Sequence, residues 1–259
     1  MKRFAYYFQE AFQPHNVNPF ETLKGKTLIF FDTETTGLNP YKDQIVELAY
    51  IAADASTLEV KETYNEYAIL HKTDADPDIL AKNHYNPNKA HKTEKEVLQD
   101  FVDAVGRHNN PIVVAHNATF DMKMVMTKIG HGNLPFNKVY DTLQFARMLF
   151  IPTLTALSDQ GNEKATAMLD TITKRRKDGS LVISKNKNRM IRSDLGTLST
   201  AIDADTSNWH NALADTQNLL DIFKAMKEYY DKEIINTPIF RKAFTHAQKQ
   251  RRFMQHKPV

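Results

Sequence analysis

Four acids and a histidine, spread over three short stretches, have the chemistry to hold metal ions and move a proton. The first stretch reads Leu28-Ile29-Phe30-Phe31-Asp32-Thr33-Glu34-Thr35-Thr36-Gly37-Leu38, the second Val113-Val114-Ala115-His116-Asn117-Ala118-Thr119-Phe120-Asp121, and the third His210-Asn211-Ala212-Leu213-Ala214-Asp215. Phosphodiester hydrolysis assisted by paired Mg²⁺ or Mn²⁺ needs a dense cage of hard oxygen ligands and a base for the attacking water. Asp32, Glu34, Asp121, Asp215 and His210 supply those side-chain types.

Each stretch also has a plainer reading. Thr27 to Phe31 is a short apolar, β-rich run broken by Thr35-Thr36-Gly37. Asp32 and Glu34 stand two apart, so they share a face if the strand persists, and a cation between them would relieve their repulsion. Alone, the pair reads first as solvated acids at a strand end. Asp121 falls in the first turn of a helix expected over 119–129, where an acid also suits the helix dipole. Asp215 lies in a helical stretch that carries Leu219, Leu220, Phe223 and Met226, and helix-interior Asp is mildly disfavoured. His210, five residues earlier, would lie roughly 140° away on a regular helix. To share a site with Asp215 it must therefore sit on the entering turn.

Jointly the three stretches resemble motifs I, II and III of the DEDDh (DnaQ-like) 3′→5′ exonucleases. That family includes the bacterial polymerase III proofreading subunit, ribonuclease T, oligoribonuclease and the TREX enzymes. The likeness rests on Asp32-Thr33-Glu34-Thr35-Thr36-Gly37-Leu38, on Asn117 and Phe120 before Asp121, and on His210-Asn211-Ala212-Leu213-Ala214-Asp215. The histidine form of the third motif separates the chain from the tyrosine branch, because Tyr229 and Tyr230 follow Asp215. The resemblance spans roughly residues 26 to 228.

It implies a ribonuclease H-like fold and two Mg²⁺ (or Mn²⁺) ions. Asp32, Glu34 and Asp215 would ligate the first ion, with Asp32 bridging to a second that Asp121 supports. His210 would take the proton of the attacking water, so activity should rise through about pH 6 to 8. Thr33, Thr35 and Leu38 would hold the terminal nucleotide, with Asn117 and Phe120 lining the same pocket. Leu38 and Phe120 read equally well as core residues. Trp209, the only tryptophan, would stack on a base or pack beneath the motif.

Around these motifs the pattern predicts strands at 27–32, 44–54, 60–70 and 111–115, with a helix at about 94–106 opened by the capping-box residues Thr93-Glu94-Lys95-Glu96. After that, helix dominates. Asp141 is read as a helix cap, and Pro152 with the polar stretch Ser158 to Lys164 as an interruption. The fold class expected is α/β, a mixed central sheet flanked by helices. The domain reading is an N-terminal extension (1–25), an exonuclease domain (26–230) and a basic tail (231–259).

Charge is uneven. Lys174 to Arg192 holds eight basic residues, Arg175, Arg176 and Lys177 among them, against the single acid Asp178. The segment is thus net +7 in a chain of net +3, which leaves −4 elsewhere. With Asp178-Gly179 as a two-residue turn, it reads as a basic β-hairpin inserted at about 164–194, either gripping nucleic acid or simply solvated. Arg241 to Val259 adds six basic residues and no acids, a candidate for nucleic-acid contact, partner docking or disorder.

At 259 residues and 41% hydrophobic content the chain can bury one substantial core. No apolar run reaches the roughly 20 residues that span a bilayer, so no membrane association is expected. The start has no apolar core of signal-peptide kind, and the chain has zero cysteines, which excludes disulfides and thiolate zinc sites. A cytoplasmic location is expected.

The activity expected is 3′→5′ hydrolysis of single-stranded DNA or RNA ends, DNA being favoured, with release of nucleoside 5′-monophosphates. The alternatives are an RNA-trimming or oligoribonuclease-type enzyme, or a proofreading accessory docked to a polymerase. A replication or repair protein is the candidate partner.

Overall fold

Strand β1 (Thr27–Thr35) runs unbroken through Asp32 and Glu34, three residues past the strand expected at 27–32. In the computed structural model, residues 20, 23–108, 111–130, 134–136, 139–182 and 190–231 are described. Residues 1–19 of the expected N-terminal extension and 232–259 of the basic tail lie outside them.

The described chain divides into two compact units. One runs to Thr142 and takes back Ser207–Leu220; the other holds Leu143–Thr206 and continues from Asp221.

The first unit is built on a sheet of β1, β2 (Ile45–Asp54), β3 (Val60–Ala68), β4 (Ala90–Lys92), β5 (Ile112–Ala115) and β6 (Val139–Asp141), in the order β4-β3-β2-β1-β5-β6. The pairs β1/β2 and β2/β3 are antiparallel, whereas β1/β5, β5/β6 and β3/β4 are parallel. This is the expected mixed sheet. β4 and β6 went unforeseen because three residues are too few to show a period of two.

In the β1/β2 register Phe31 lies opposite Tyr50, Asp32 opposite Ala49 and Glu34 opposite Glu47, and each such pair shares a face. On one face Phe31, Leu48, Tyr50 and Ala52 pack with Val97, Leu98 and Phe101 of α2 (Glu94–Gly106) and with Met122, Met124 and Val125 of α3 (Ala118–Ile129). Phe31 and Phe101 stack at 5.0 Å between ring centroids. The capping box expected at Thr93 is formed: its hydroxyl accepts from Glu96 N–H, and the Glu96 carboxylate accepts from Thr93 N–H.

The register slips between Glu34 and Thr35, so Thr35 faces Ile45. Such a bulge redirects a strand end. The connection that follows is braced, with Thr36 N–H donating to Gln44 O at 2.9 Å and Thr35 Oγ1 donating to Gly37 O at 2.7 Å. A Cβ at Gly37 would collide with the Asp43 carboxylate, so a side chain fits there only if that carboxylate moves. Before β4 come the short helix α1 (Pro77–Lys82) and a 3₁₀ turn at Pro87–Lys89.

Asp141 ends β6, and its carboxylate accepts from Asn117 N–H at 3.2 Å. One helical turn, α4 (Thr142–Phe145), passes through π-helical Ala146–Phe150 into α5 (Ile151–Ser158). Pro152 is the second residue of α5, directly after the π-helical turn, and the chain stays helical through it.

In the second unit α5 packs on α6 (Glu163–Ile172), which Asn162 caps, and α6 on α7 (Leu195–Ala201), which Asp194 caps. The basic hairpin expected here is not confirmed. Its described residues form the isolated bridges Thr173↔Ile191 and Arg175↔Leu181, with Arg176 N–H donating to Ser180 O and Val182 N–H to Lys174 O, both at 2.8 Å, but no named strand, and residues 183–189 lie outside the description. The last described helix is α8 (Ala212–Asp231).

Candidate metal centre

β1 carries Asp32 and Glu34 on the face that also bears Glu47, and the bulge after Glu34 lies at the same end of the strand. Asp121 stands in the first turn of α3 and is buried. Thr33 Oγ1 donates to Asp121 Oδ1 at 2.8 Å, fixing that carboxylate to β1. Asp215 stands in the first turn of α8, not in a helix interior, so the helix dipole favours its charge. One ligand atom from each of Glu34, His210 and Asp215 lies within 4.8 Å of the others, close enough to surround one ion.

The acids are charged at each other's expense. Burial, then repulsion by Asp121, Glu34, Asp215 and Glu47, raises Asp32 well above the usual carboxylate range. Burial and the neighbouring acids push Glu34 up to about 8, with Lys82 acting the other way. Burial likewise raises Asp121 and Asp215 to about 7, although the Thr33 hydrogen bond opposes the shift at Asp121. Asp215 Oδ1 is buried with no hydrogen-bond partner. Buried acids with an orphaned oxygen fit divalent cations, since positive charge would satisfy what no protein group does.

His210 occupies the entering turn, with φ of 65°, a left-handed conformation rare for a residue with a side chain. Its ring meets the Trp209 ring edge-on at 5.4 Å, so Trp209 packs beside the motif. His84 Nε2 donates to Trp209 O at 3.2 Å. Burial, then the charges of Lys82 and His84, lowers the His210 pKa.

Sequence reasoning passed over Glu47, a fully buried acid of β2. Its Oε1 accepts from Asn211 Nδ2 at 2.9 Å and its Oε2 from Ala212 N–H at 3.2 Å. Asn211 Nδ2 also donates to the Tyr67 hydroxyl at 3.1 Å. The one signal was an acid inside the apolar run Ile45 to Ala53. Asn83 was missed as well; it is buried, and its Nδ2 donates to Thr35 O at 2.9 Å.

The expected nucleotide contacts separate into several environments. Thr33 and Thr35 are buried, whereas Leu38 is 83% exposed and so is no core residue. Asn117 precedes α3 with φ of 64° and is exposed, and Phe120 is partly buried against the core. Arg175, Arg176 and Lys177 belong to the second unit, where they stand exposed; Arg175 Nη1 donates to Gly179 O at 3.0 Å.

The sequence model of the RNase_T family, described as Exonuclease, matches residues 29–174. The match covers Asp32, Glu34 and Asp121 and ends before His210 and Asp215. DNA polymerase III PolC-type of Staphylococcus aureus is 33% identical over 152 residues, which is 54% of this chain and 9% of that protein. Among solved structures, E. coli exonuclease I in complex with a dT13 oligonucleotide matches with a TM-score of 0.57 and 19% identity over 90% of this chain and 46% of that one. Its product-bound structure gives a TM-score of 0.57 at 19% identity, over 90% of this chain and 49% of that one. At that identity the likeness is one of fold, the ribonuclease H-like exonuclease fold. The chain spans a small part of the curated relatives and about half of the solved ones.

Proposed function

The chain belongs to the RNase_T exonuclease family, DnaQ-like in its motifs, and from that premise we propose that it hydrolyses the terminal phosphodiester of single-stranded nucleic acid in the 3′→5′ direction, releasing nucleoside 5′-monophosphates. The observation that carries this reading is the gathering of Asp32, Glu34, Asp121 and Asp215 beside His210, with Asp215 Oδ1 left unsatisfied.

Asp32, Glu34 and Asp215 would hold one Mg²⁺ or Mn²⁺, and Asp32 with Asp121 a second. Such ions would supply positive charge for the scissile phosphate and make a water molecule more acidic. The Thr33 hydroxyl keeps Asp121 turned toward β1. His210, kept neutral by burial and by Lys82 and His84, accepts the proton of the attacking water at an imidazole nitrogen. The P–O3′ bond then breaks, and the terminal nucleotide leaves with its 5′ phosphate. Leu38, exposed at the tip of the connection after β1, wedges beside the terminal base, while Thr35, Asn117 and Phe120 border it. Arg175, Arg176 and Lys177 supply backbone contacts to the strand.

Single-stranded DNA is favoured as the substrate. The solved structures of similar fold include exonuclease I with a dT13 oligonucleotide, and the S. aureus relative is a DNA polymerase. The latter likeness also supports a partner in replication.

The test uses 5′-labelled single-stranded DNA and RNA of one sequence with Mg²⁺, Mn²⁺ or EDTA, beside Asp121→Ala and His210→Ala proteins. The expected result is a metal-dependent ladder shortening from the 3′ end, strongly diminished in both variants, with DNA the faster substrate. Binding of either strand without cleavage would replace the enzyme reading with a binding role.

A further inference from the structure

Glu47 poses a problem that the nuclease reading leaves open. It lies directly across the sheet from Glu34, on the same face, and its charge opposes ionisation of Asp32, Glu34 and Asp215. Like charges so placed destabilise a sheet. An acid retained there must do something that a neutral side chain does not.

Its surroundings identify the task. Asn211 Nδ2 at 2.9 Å and Ala212 N–H at 3.2 Å donate to its two oxygens. Both partners present N–H groups, and a carboxylate can accept at both oxygens. Glutamine, its neutral isostere, would turn an NH₂ group toward one of the donors. The acceptor-only chemistry of Glu47 is therefore matched to a set of donors.

These two donors, Asn211 and Ala212, directly follow His210, whose φ of 65° is unfavourable for a residue with a Cβ. Conformations of this kind persist where the surroundings over-determine them. On the other side of His210, Trp209 O is held by His84 Nε2 at 3.2 Å. Asn211 also begins the helix: its Oδ1 accepts from Ala214 N–H at 3.2 Å and its O from Asp215 N–H at 2.9 Å. Glu47 thus reaches both motif-III residues through one turn.

We propose that Glu47 is a positioning residue, which clamps Asn211 and Ala212 so that the strained turn presents His210 to the attacking water. The proposal rests on the nuclease reading for its consequence but on the geometry above for its content. Glu47 touches neither substrate nor scissile bond; it acts through His210.

A double-mutant cycle of Glu47→Gln and His210→Ala tests it. Glu47→Gln is expected to lower kcat about 30-fold with KM changed less than about 3-fold, and to lower the rate no further in the His210→Ala protein. Mn²⁺ affinity measured by calorimetry should stay within about 3-fold, since a positioning role leaves the cage in place. The His210 ring resonance, identified by its loss in His210→Ala, should shift or broaden in Glu47→Gln. If Glu47→Gln does not fold, Asn211→Ala cuts the same link from the other side and should show the same pattern.

Equal losses in both His210 backgrounds, or an unmoved His210 resonance, would overturn the proposal. A wild-type protein without nuclease activity would instead remove the function proposed above, and the resonance would still decide the role of Glu47.

Discussion

Thr33 and Asp121, 88 residues apart in the chain, are joined by one buried hydrogen bond of 2.8 Å. It locks the first turn of α3 to β1 and favours the charged form of Asp121. Thr33→Val keeps the shape and removes the donor. Mn²⁺ binding is expected to weaken about 10-fold, the scale of a lost hydrogen bond to a charged group. Calorimetric titration checks this, and an unchanged affinity would count against a metal-supporting Asp121.

Asp215→Asn should move activity and stability in opposite directions. Removing one charge from a buried acidic cluster relieves repulsion, so the cation-free melting temperature should rise by about 3 °C. The same change deletes a ligand and should lower kcat at least about 1000-fold. Differential scanning calorimetry in EDTA, with a parallel nuclease assay, reads both signs. A lower melting temperature would show that the cluster is not strained.

Metal-free stability should fall as pH rises. Folding holds protons on Glu34 to about 8 and on Asp121 and Asp215 to about 7, chiefly through burial. In the unfolded chain such groups ionise near pH 4. Between about pH 4 and 8 the folded state therefore binds more protons than the unfolded one, and each step upward favours unfolding. In EDTA the melting temperature should drop from about pH 5 to about pH 8, and millimolar Mg²⁺ should flatten the profile. A profile that is the same with and without Mg²⁺ would speak against cations at the acids.

With saturating metal, the acid limb of kcat/KM should reflect His210. A base works unprotonated, and burial with the charges of Lys82 and His84 holds this imidazole below its ordinary 6.5. The limb should then have its midpoint below about 6.5, lower than a rise through pH 6 to 8 would place it. Lys82→Gln removes one opposing charge and should shift the midpoint upward. Rates across pH for both proteins test it, a downward shift being the adverse result.

Leu38 is exposed at 83% on a connection braced by Thr35, Gln44 and Asp43. Leu38→Ala should raise KM for an oligonucleotide about 5-fold, with kcat within about 2-fold and no loss of melting temperature. Steady-state kinetics distinguish this from a buried Leu, whose truncation would destabilise the protein.

The legible parts of the molecule had strong local signals. β1 and β2 followed from apolar runs, α2 from its capping box, and the placement of His210 on an entering turn from the five-residue spacing to Asp215. Glu47 did not stand out, because a single acid in an apolar strand gives no hint of the donors that Asn211 and Ala212 bring to it from a distant segment. Asn83 was hidden for the same reason: its partner, Thr35 O, is a backbone atom 48 residues away. The basic insertion was legible in charge, and its described residues bridge at Arg175 and Leu181 about the Asp178-Gly179 turn without forming a named strand.

The acids of the cage come from widely separated parts of the chain: Asp32 and Glu34 from β1, Asp121 from α3, Asp215 from α8. Synthesis runs from the amino terminus, so Asp215 is the last of them to be made, together with the Asn211 turn that seats on β2. A polypeptide still on the ribosome, or one clipped ahead of α8, carries β1 and α3 but neither Asp215 nor His210. Under the function proposed above, cutting is therefore confined to chains completed through Asp215.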